Sequence, residues 1–484
     1  MAEKFKPKYT RVAQLKTAQD LRNYLSVSSV KLDFDDELIA GEGSVFKKKI
    51  ALKSGREIGN SLCILPMEGW DGTADGRPSE LTKKRWENFA TSGAKLLWGC
   101  EAVAVWHEGR ANPRQLVMND ANFSEFVNLY QLIIDKHTEK FGSTDDLVIG
   151  LQLTHSGRFC KPNDNTKFES KILYNHPKLN DKFHLGEDYP LMTDDEIDTL
   201  IEGFIKAAVL AQKAGFHFVD IKHCHGYLGH EFLSAYDREG KYGGNFENRT
   251  RFLRNIVEGI KKAAPGLEIG VRLSAIDFAP FKKSTTGEGE PDLISGNTTY
   301  KYAFGCDNSG VKVDLDEPKA FLALAQSLGI QLICITLGSP YYNPHVTRPA
   351  LFPPSDGYQP PEEPLAGVAR MIDVAAGLKQ AFPDLVIVGS GYSYLQEWLP
   401  NVAQNVLRNS KADSIGFGRM VLSYPTMPDD MINDRPIQRK LLCRTFSDCT
   451  TAPRNGLYSG CFPLDPVYKN HADAEKLKVI KDGQ

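Results

Sequence analysis

The sequence lacks any apolar stretch long enough to cross a membrane, and its start, MAEKFKPKYT, has no apolar core of the kind a secretory signal needs. It also lacks a run of like charge. The 58 Lys and Arg nearly balance 61 Asp and Glu, for a formal net charge of -3, which gives no footprint for nucleic acid or an anionic membrane. Cysteine is sparse and odd in number, nine in 484 residues, which argues against a disulfide framework. There is no internal repeat and no low-complexity tract, so solenoid, collagen and coiled-coil architectures are excluded. These absences predict a cytoplasmic globular protein whose partner is a small molecule, with no nucleic acid and no membrane; assembly into a homo-oligomer is left open. What is present, 41% hydrophobic and 10% aromatic residues, suffices to bury a large core.

Short β-branched runs alternate with helical patterns along the chain, which favours a parallel sheet. Eight candidate strands cover residues 61–65, 94–105, 147–154, 217–222, 268–274, 331–336, 385–389 and 414–418. The clearest helix covers 193–213, where Thr193-Asp194-Asp195-Glu196 reads as a capping box ahead of Ile197, Leu200, Ile201 and Ile205. Eight strand–helix units imply a closed (β/α)8 TIM barrel, an α/β fold. An open doubly wound sheet would also explain the alternation, but no glycine fingerprint follows Leu65. Long connections at 159–191 and 275–314, and a proline-rich one at 340–364, all leave strand C-termini, where barrel enzymes build their sites. The expected organisation is an N-terminal lead and barrel-bottom cap over 1–60, the barrel over 61–430 and a C-terminal extension over 431–484.

Function is therefore sought at the strand ends. The last two strands end in Gly389-Ser390-Gly391 and Gly416-Phe417-Gly418-Arg419; close-approaching backbone N–H groups and a guanidinium together make a phosphate cradle. Gln152 and Thr154 share one face of the third strand, so an amide and a hydroxyl point towards the mouth. On the fifth, Arg272 stands between apolar neighbours and needs an anion, an electron-rich ring or a salt bridge. The fourth strand runs into Lys222-His223-Cys224-His225-Gly226-Tyr227. Its i, i+1, i+2 spacing cannot present all three ligands to one tetrahedral ion, so donors and a proton source are expected there rather than a metal.

Several segments carry a resemblance to a known family. They are Pro66-Met67, Glu101-Ala102, Gln152-Leu153-x-His155-x-Gly157-Arg158, His225-Gly226-Tyr227-Leu228, Phe232-Leu233-Ser234, Tyr242-Gly243-Gly244-x-x-Glu247-Asn248-Arg249-x-Arg251-Phe252, Val271-Arg272-Leu273-Ser274 and Gly416-x-Gly418-Arg419. In this order they resemble the old yellow enzyme family of FMN-dependent oxidoreductases over roughly 60–428. The resemblance implies FMN across the barrel mouth, with Pro66, Met67, Glu68 and Ala102 bordering it. Gln152 would meet the pyrimidine edge, Arg272 the N1/C2 end, and Gly389, Ser390, Gly391, Gly418 and Arg419 the phosphate. Tyr227 falls on the proton donor to the substrate α-carbon, and His225 on the second of two donors that polarise an activated alkene. Lys222 stands where the first, a histidine, is usual, and Glu68 replaces the usual threonine or cysteine. Trp70, Tyr341 and Tyr342, with His345 nearby, are expected to face the substrate.

The C-terminal cysteines are similar to an iron–sulfur motif of multidomain relatives of the 2,4-dienoyl-CoA reductase and trimethylamine dehydrogenase kind. Cys443, Cys449 and Cys461 keep the spacing, but Phe446 takes the place of one ligand. A metal-free segment is expected, with a three-cysteine site as the alternative, and no second domain. Electrons would then come from NADH or NADPH. The expected activity is ene reduction of an activated alkene; the alternatives are an FMN-dependent dehydrogenase or demethylase of an amine or other small molecule, and a flavin-binding protein without turnover.

Overall fold

The computed structural model describes residues 8–294 and 299–482; residues 295–298 of the connection after the fifth strand lie outside them. Eight parallel strands close on themselves. They are β1 (Leu62–Ile64), β2 (Leu96–Leu97 and Ala102–Ala104), β3 (Val148–Thr154), β4 (Phe218–Ile221), β5 (Glu268–Ser274), β6 (Leu332–Thr336), β7 (Val386–Gly389) and β8 (Ser414–Phe417). β8 pairs back onto β1 through Ile415 with Leu62 and Phe417 with Ile64, which closes the (β/α)8 barrel. Around it stand α1 (Glu80–Ala90), α2 (Phe123–Phe141), α3 (Asp194–Ala214), α4 (Arg251–Ala263), α5 (Asp316–Ser327), α6 (Pro364–Ala381), α7 (Leu399–Arg408) and α8 (Met427–Ile432).

Strand alternation sorts the residues into two cores. Inward-facing Cys63, Leu65, Leu96, Trp98, Val148, Phe218, Leu332, Cys334, Val386 and Val388 fill the barrel. A hairpin in the N-terminal lead, Ile50–Ala51 against Glu57–Ile58, adds Ile50, Leu52 and Ile58 to the same cluster. Outward residues such as Leu151, Val219 and Ile333 join the larger core beneath the helices. α3 starts as its sequence signals: Thr193 Oγ1 accepts from the Glu196 N–H at 3.1 Å, and the Glu196 carboxylate accepts from the Thr193 N–H at 2.7 Å.

The second strand departs from the expected continuous run. Its two pieces are separated by a kink in which Cys100 takes φ +48°. Two buried polar groups with opposite destinations force the break. Trp98 points into the barrel, where its Nε1 donates to Asp220 Oδ2 at 2.7 Å. Glu101 turns out to α1, where Oε2 accepts from Arg85 at 2.5 Å and from Trp86 Nε1 at 3.3 Å. Between them Gly99 passes so close to β3 that a Cβ would lie 2.9 Å from the Gln152 backbone nitrogen.

The C-terminal extension adds α9 (Asp448–Arg454), α10 (Pro466–Lys469) and α11 (Asp473–Asp482), folded over the strand C-termini. Arg454 pairs with Asp356 and donates to the Pro340 carbonyl at 2.8 Å. Ser447 Oγ donates to the Phe352 carbonyl at 2.6 Å. The extension is thus anchored on the β6 connection. At the barrel centre, Trp98→Phe keeps an aromatic ring but removes a donor from a buried carboxylate. We expect a loss of about 2 kcal/mol or more in stability, read as a lower urea midpoint.

Candidate active site

Asp220 on β4 is the floor of the site. It is fully buried, and a buried carboxylate survives only if its oxygens are satisfied. Oδ2 accepts from Trp98 Nε1 and from Gln152 Nε2 at 2.6 Å, while Oδ1 accepts from the Arg272 backbone N–H at 2.7 Å. Burial pushes the Asp220 carboxyl up, and these three donors pull it back. The arrangement leaves the Gln152 carbonyl oxygen as its free acceptor. Above it, Arg272 Nη1 donates to the Pro66 carbonyl at 3.1 Å, and its Nε is buried without a partner.

A cavity of about 550 Å³ opens over this floor. Pro66, Glu68, Trp70, Gln152, Lys222, His225, Tyr227, Arg272 and Tyr341 all line it, so most of the residues expected at the site meet there. The chain reaches Tyr227 through a left-handed pair, His225 at φ +65° and Gly226 at φ +79°. Residue 226 must be glycine, because a Cβ would sit 2.8 Å from the Tyr342 ring. The turn is pinned by Ser274 Oγ, which accepts from the His225 N–H at 3.0 Å, and by Ser339 Oγ, which donates to the His225 carbonyl at 2.8 Å. Burial, followed by the positive charges of Arg272 and Lys222, holds the His225 imidazole well below its usual range, so it is neutral at pH 7.

Tyr227 is the hub of a polar cluster. Its hydroxyl donates to Glu68 Oε2 and lies 2.8 Å from the Tyr341 hydroxyl. The Lys222 ammonium sits 3.8 Å from the centroid of the Tyr227 ring and 3.8 Å from Glu68 Oε2. Burial and the Glu68 charge push the Tyr227 phenol well up. One wall is aromatic: Tyr341 stacks on Phe159 with centroids 4.0 Å apart and planes 7° from parallel, and Phe183 meets Phe159 edge-on at 5.2 Å.

Other expected site residues lie elsewhere. Tyr342 does not face the cavity; its hydroxyl donates to Asp277 Oδ2 at 2.6 Å, because Asp277 is buried and needs donors, of which Asn343 Nδ2 at 2.8 Å is the second. His345 turns to the Tyr358 hydroxyl at 2.7 Å. Thr154 is buried beside the floor with its hydroxyl unpartnered. Met67 and Ala102 are not among the cavity-lining residues and are joined backbone to backbone at 2.9 Å. The strand-end segments of β7 and β8 lie to one side: Ser390 Oγ donates to the Ile335 carbonyl, and Arg419 Nη2 to the Pro349 carbonyl at 2.9 Å. Arg419 shares a small cavity of about 30 Å³ with Cys443, Cys449 and Cys461. Among the described residues, no group of three or more His, Cys, Asp or Glu is placed to hold a metal ion. Phe446 is 40% exposed and packs on Phe352.

Several cavity residues escaped sequence reasoning. Arg348 donates to Thr450 Oγ1, Lys161 to the Asn165 carbonyl at 2.9 Å and Lys182 to the Phe281 carbonyl at 3.1 Å. All three line the cavity on neutral partners. Arg348 is held below the usual arginine range by burial and by the nearby Arg454 and Arg419 guanidiniums, a clustering that an anion would relieve. Cys449, Thr450, Pro453 and Arg454 bring the C-terminal extension into the wall. Asp220 alone left a trace, a charge in an otherwise apolar strand.

Residues 55–300 match the NADH:flavin oxidoreductase / NADH oxidase family. The chain is 28% identical over 385 residues to an NADPH dehydrogenase of Halalkalibacterium halodurans, covering 79% of this chain and 90% of that protein. It is 29% identical over 331 residues to an NADPH dehydrogenase of Bacillus pumilus, covering 68% and 77%. Among solved structures, a 2-naphthoyl-CoA reductase bound to 2-naphthoyl-CoA superposes with TM-score 0.63 at 16% identity, over 88% of this chain and 57% of that one. An old yellow enzyme homologue from Zymomonas mobilis gives 0.54 at 21%, over 81% and 94%. These structural likenesses bear on the fold.

Asp277 yields a test of the wall behind the cavity. Burial lifts its carboxyl from 3.8 to about 7. A raised carboxyl holds its proton in the folded state after the unfolded chain has lost it. The stability it contributes is therefore complete below about pH 4 and lost progressively as pH rises to about 7. Thermal melts across that window should fall with pH in the wild type, and Asp277→Asn should remove that part of the slope.

Proposed function

The chain belongs to the NADH:flavin oxidoreductase / NADH oxidase family, and from that premise we propose that this FMN-dependent NAD(P)H oxidoreductase reduces an activated alkene, with Tyr227 delivering the proton. The observation that carries the reading is the convergence of Tyr227, His225, Lys222, Gln152 and Arg272 on one cavity at the barrel mouth.

The residues present fit FMN. Arg272 Nε and Arg419 Nη1 are buried donors without partners, as an absent anionic or carbonyl group requires. At Gly418 a Cβ would meet nothing nearer than Leu65 at 3.9 Å, so a ligand can approach its backbone. Gln152, its amide nitrogen committed to Asp220, offers an oxygen to an imide N–H. Gly389, Ser390, Gly391, Gly418 and Arg419 would hold the phosphate; Pro66, Met67, Glu68 and Ala102 would border the ring. When bound, FMN supplies hydride exchange between the nicotinamide and the substrate.

This chain's own side chains do the rest. The neutral His225 donates an N–H to the activating carbonyl of the substrate, and Lys222 adds a point charge on the same side. The Tyr227 phenol, kept protonated by burial and by Glu68, is the acid at the α-carbon. Lys161, Lys182 and Arg348 favour a substrate with negative charge set away from the reacting carbon. Trp70 and Tyr341 supply apolar area for the rest of it.

Purified protein should be yellow, and NADH or NADPH should bleach the flavin band under anaerobic conditions. Mixing the reduced protein with an activated alkene should restore the band, faster with an anionic enoate than with neutral cyclohexenone. Tyr227→Phe should slow this reoxidation by roughly 10²-fold or more, the range for a positioned acid. Colourless protein that takes up no FMN would sink the reading.

A further inference from the structure

Glu68 stands beside the proton donor of the site, in a position where a carboxylate has an electrostatic consequence. Tyr227 Oη has two neighbours within hydrogen-bond reach, Glu68 Oε2 and the Tyr341 hydroxyl. With Glu68 ionised, the phenol spends its proton on the carboxylate. Releasing that proton to a substrate carbon would leave a phenolate against a carboxylate, two anions in a poorly solvated site, which is strongly unfavourable. Tyr227 can act as an acid without that cost only if a proton reaches its oxygen as its own proton leaves.

We propose that Glu68 is a second catalytic acid and base, in contact with the reacting phenol, and that it passes its proton through Tyr227 to the substrate. This rests on the proposed alkene reduction. As the β-carbon takes up a hydride, the Tyr227 O–H bond breaks and a C–H bond forms at the α-carbon. At the same time the Glu68 O–H bond breaks and its proton restores the phenol. Glu68 is left as a carboxylate facing the Lys222 ammonium, and it regains a proton from water at the cavity mouth. One hydride and one proton enter the substrate, and the oxidised partner is the nicotinamide that the established activity consumes.

The geometry supports each part. The Glu68 side chain is 17% exposed, low enough for a neutral acid to be accessible and open enough for reprotonation. Its Oε2 faces the Tyr227 oxygen, so the acid proton carried on Oε2 is the one that can pass to the phenol, while Oε1 is buried without a hydrogen-bond partner. The groups facing it are Lys222 and Cys224 at the end of β4, Tyr227, Tyr341 of the β6 connection and the Asn112 amide. Burial outweighs the opposing pull of Lys222, Tyr227 and Asn112, so the Glu68 carboxyl lies above its ordinary range.

Two measurements test the relay. In stopped-flow reoxidation of the reduced holoprotein by an enoate, the wild-type rate should fall as pH rises through the Glu68 titration. Glu68→Gln, which keeps the shape but carries no transferable acid proton, should run about 10²-fold slower with a flat profile in that window, and Glu68→Asp should recover part of both. In flavin-free protein, ultraviolet titration should show one phenol ionising at lower pH in Glu68→Gln than in wild type, because the neighbouring negative charge is gone. That phenol should be absent when Tyr227→Phe is added. A Glu68→Gln protein with the wild-type pH profile, or with an unmoved phenol, would overturn the relay. If wild-type protein binds flavin but no alkene reoxidises it, the alkene reading fails, and the phenol titration still decides whether Glu68 governs Tyr227.

Discussion

A single carboxylate at the barrel axis ties the site to the fold. Asp220 sits where no solvent can reach it, so every donor around it is obligatory. Its three bonds come from three different strands: Trp98 of the β2 kink, Gln152 of β3 and the backbone of Arg272 on β5. That requirement fixes the height of Gln152 and the direction of Arg272, the two groups proposed to meet the flavin. It also explains why the second strand breaks. Trp98 must reach inwards, while Glu101, three residues on, must reach the Arg85 guanidinium on the outside. A strand that stayed regular from 96 to 104 would leave one of the two carboxylates short of a donor, at a cost of a few kcal/mol.

Above the floor, positions are set by turns rather than by strands. His225 and Gly226 adopt left-handed backbone, and the strain at His225, of order 1–3 kcal/mol for a non-glycine residue, is held by hydroxyl bonds from β5 and the β6 connection. The clamp comes from two neighbouring units, and His225 and Tyr227, leaving the same strand end, both line the cavity. The C-terminal extension contributes from outside the barrel. By docking Arg454 against Asp356 and the Pro340 carbonyl, it converts an open barrel face into a walled pocket.

How legible this was depends on whether a residue's role follows from its own strand. The strand count and closure could be read, because β-branched runs alternate with amphipathic helices at a regular spacing. The cluster from Lys222 to Tyr227 and Arg272 could be read because charged residues stand out at the ends of apolar strands. Tyr342 could not: Tyr341 and Tyr342 are adjacent and chemically alike, and only the buried Asp277, 65 residues earlier, decides which of them turns away. Arg348, Lys161 and Lys182 lie in connections that carry no periodicity, and their convergence needs the tertiary fold. Glycine and arginine at the ends of β7 and β8 raised the expectation of a phosphate cradle, which stands as part of the proposed function. That Ser390 turns to a carbonyl of β6 could not be read from the sequence.

The charges in the pocket have to be considered together. Lys222 and Glu68, the two positions where the sequence was expected to depart from the family it resembles, lie as a pair 3.8 Å apart. With Glu68 ionised the two charges offset each other; with Glu68 protonated the Lys222 charge stands without a partner anion there. The pair still alters the chemistry, because its negative member touches the phenol and its positive member lies against the phenol ring. The ammonium stabilises negative charge on the ring and the carboxylate opposes it, so the acidity of Tyr227 depends on the protonation state of Glu68. If Tyr227 is the acid proposed above, its strength therefore depends on a neighbour, and that neighbour is itself governed by burial and by Lys222.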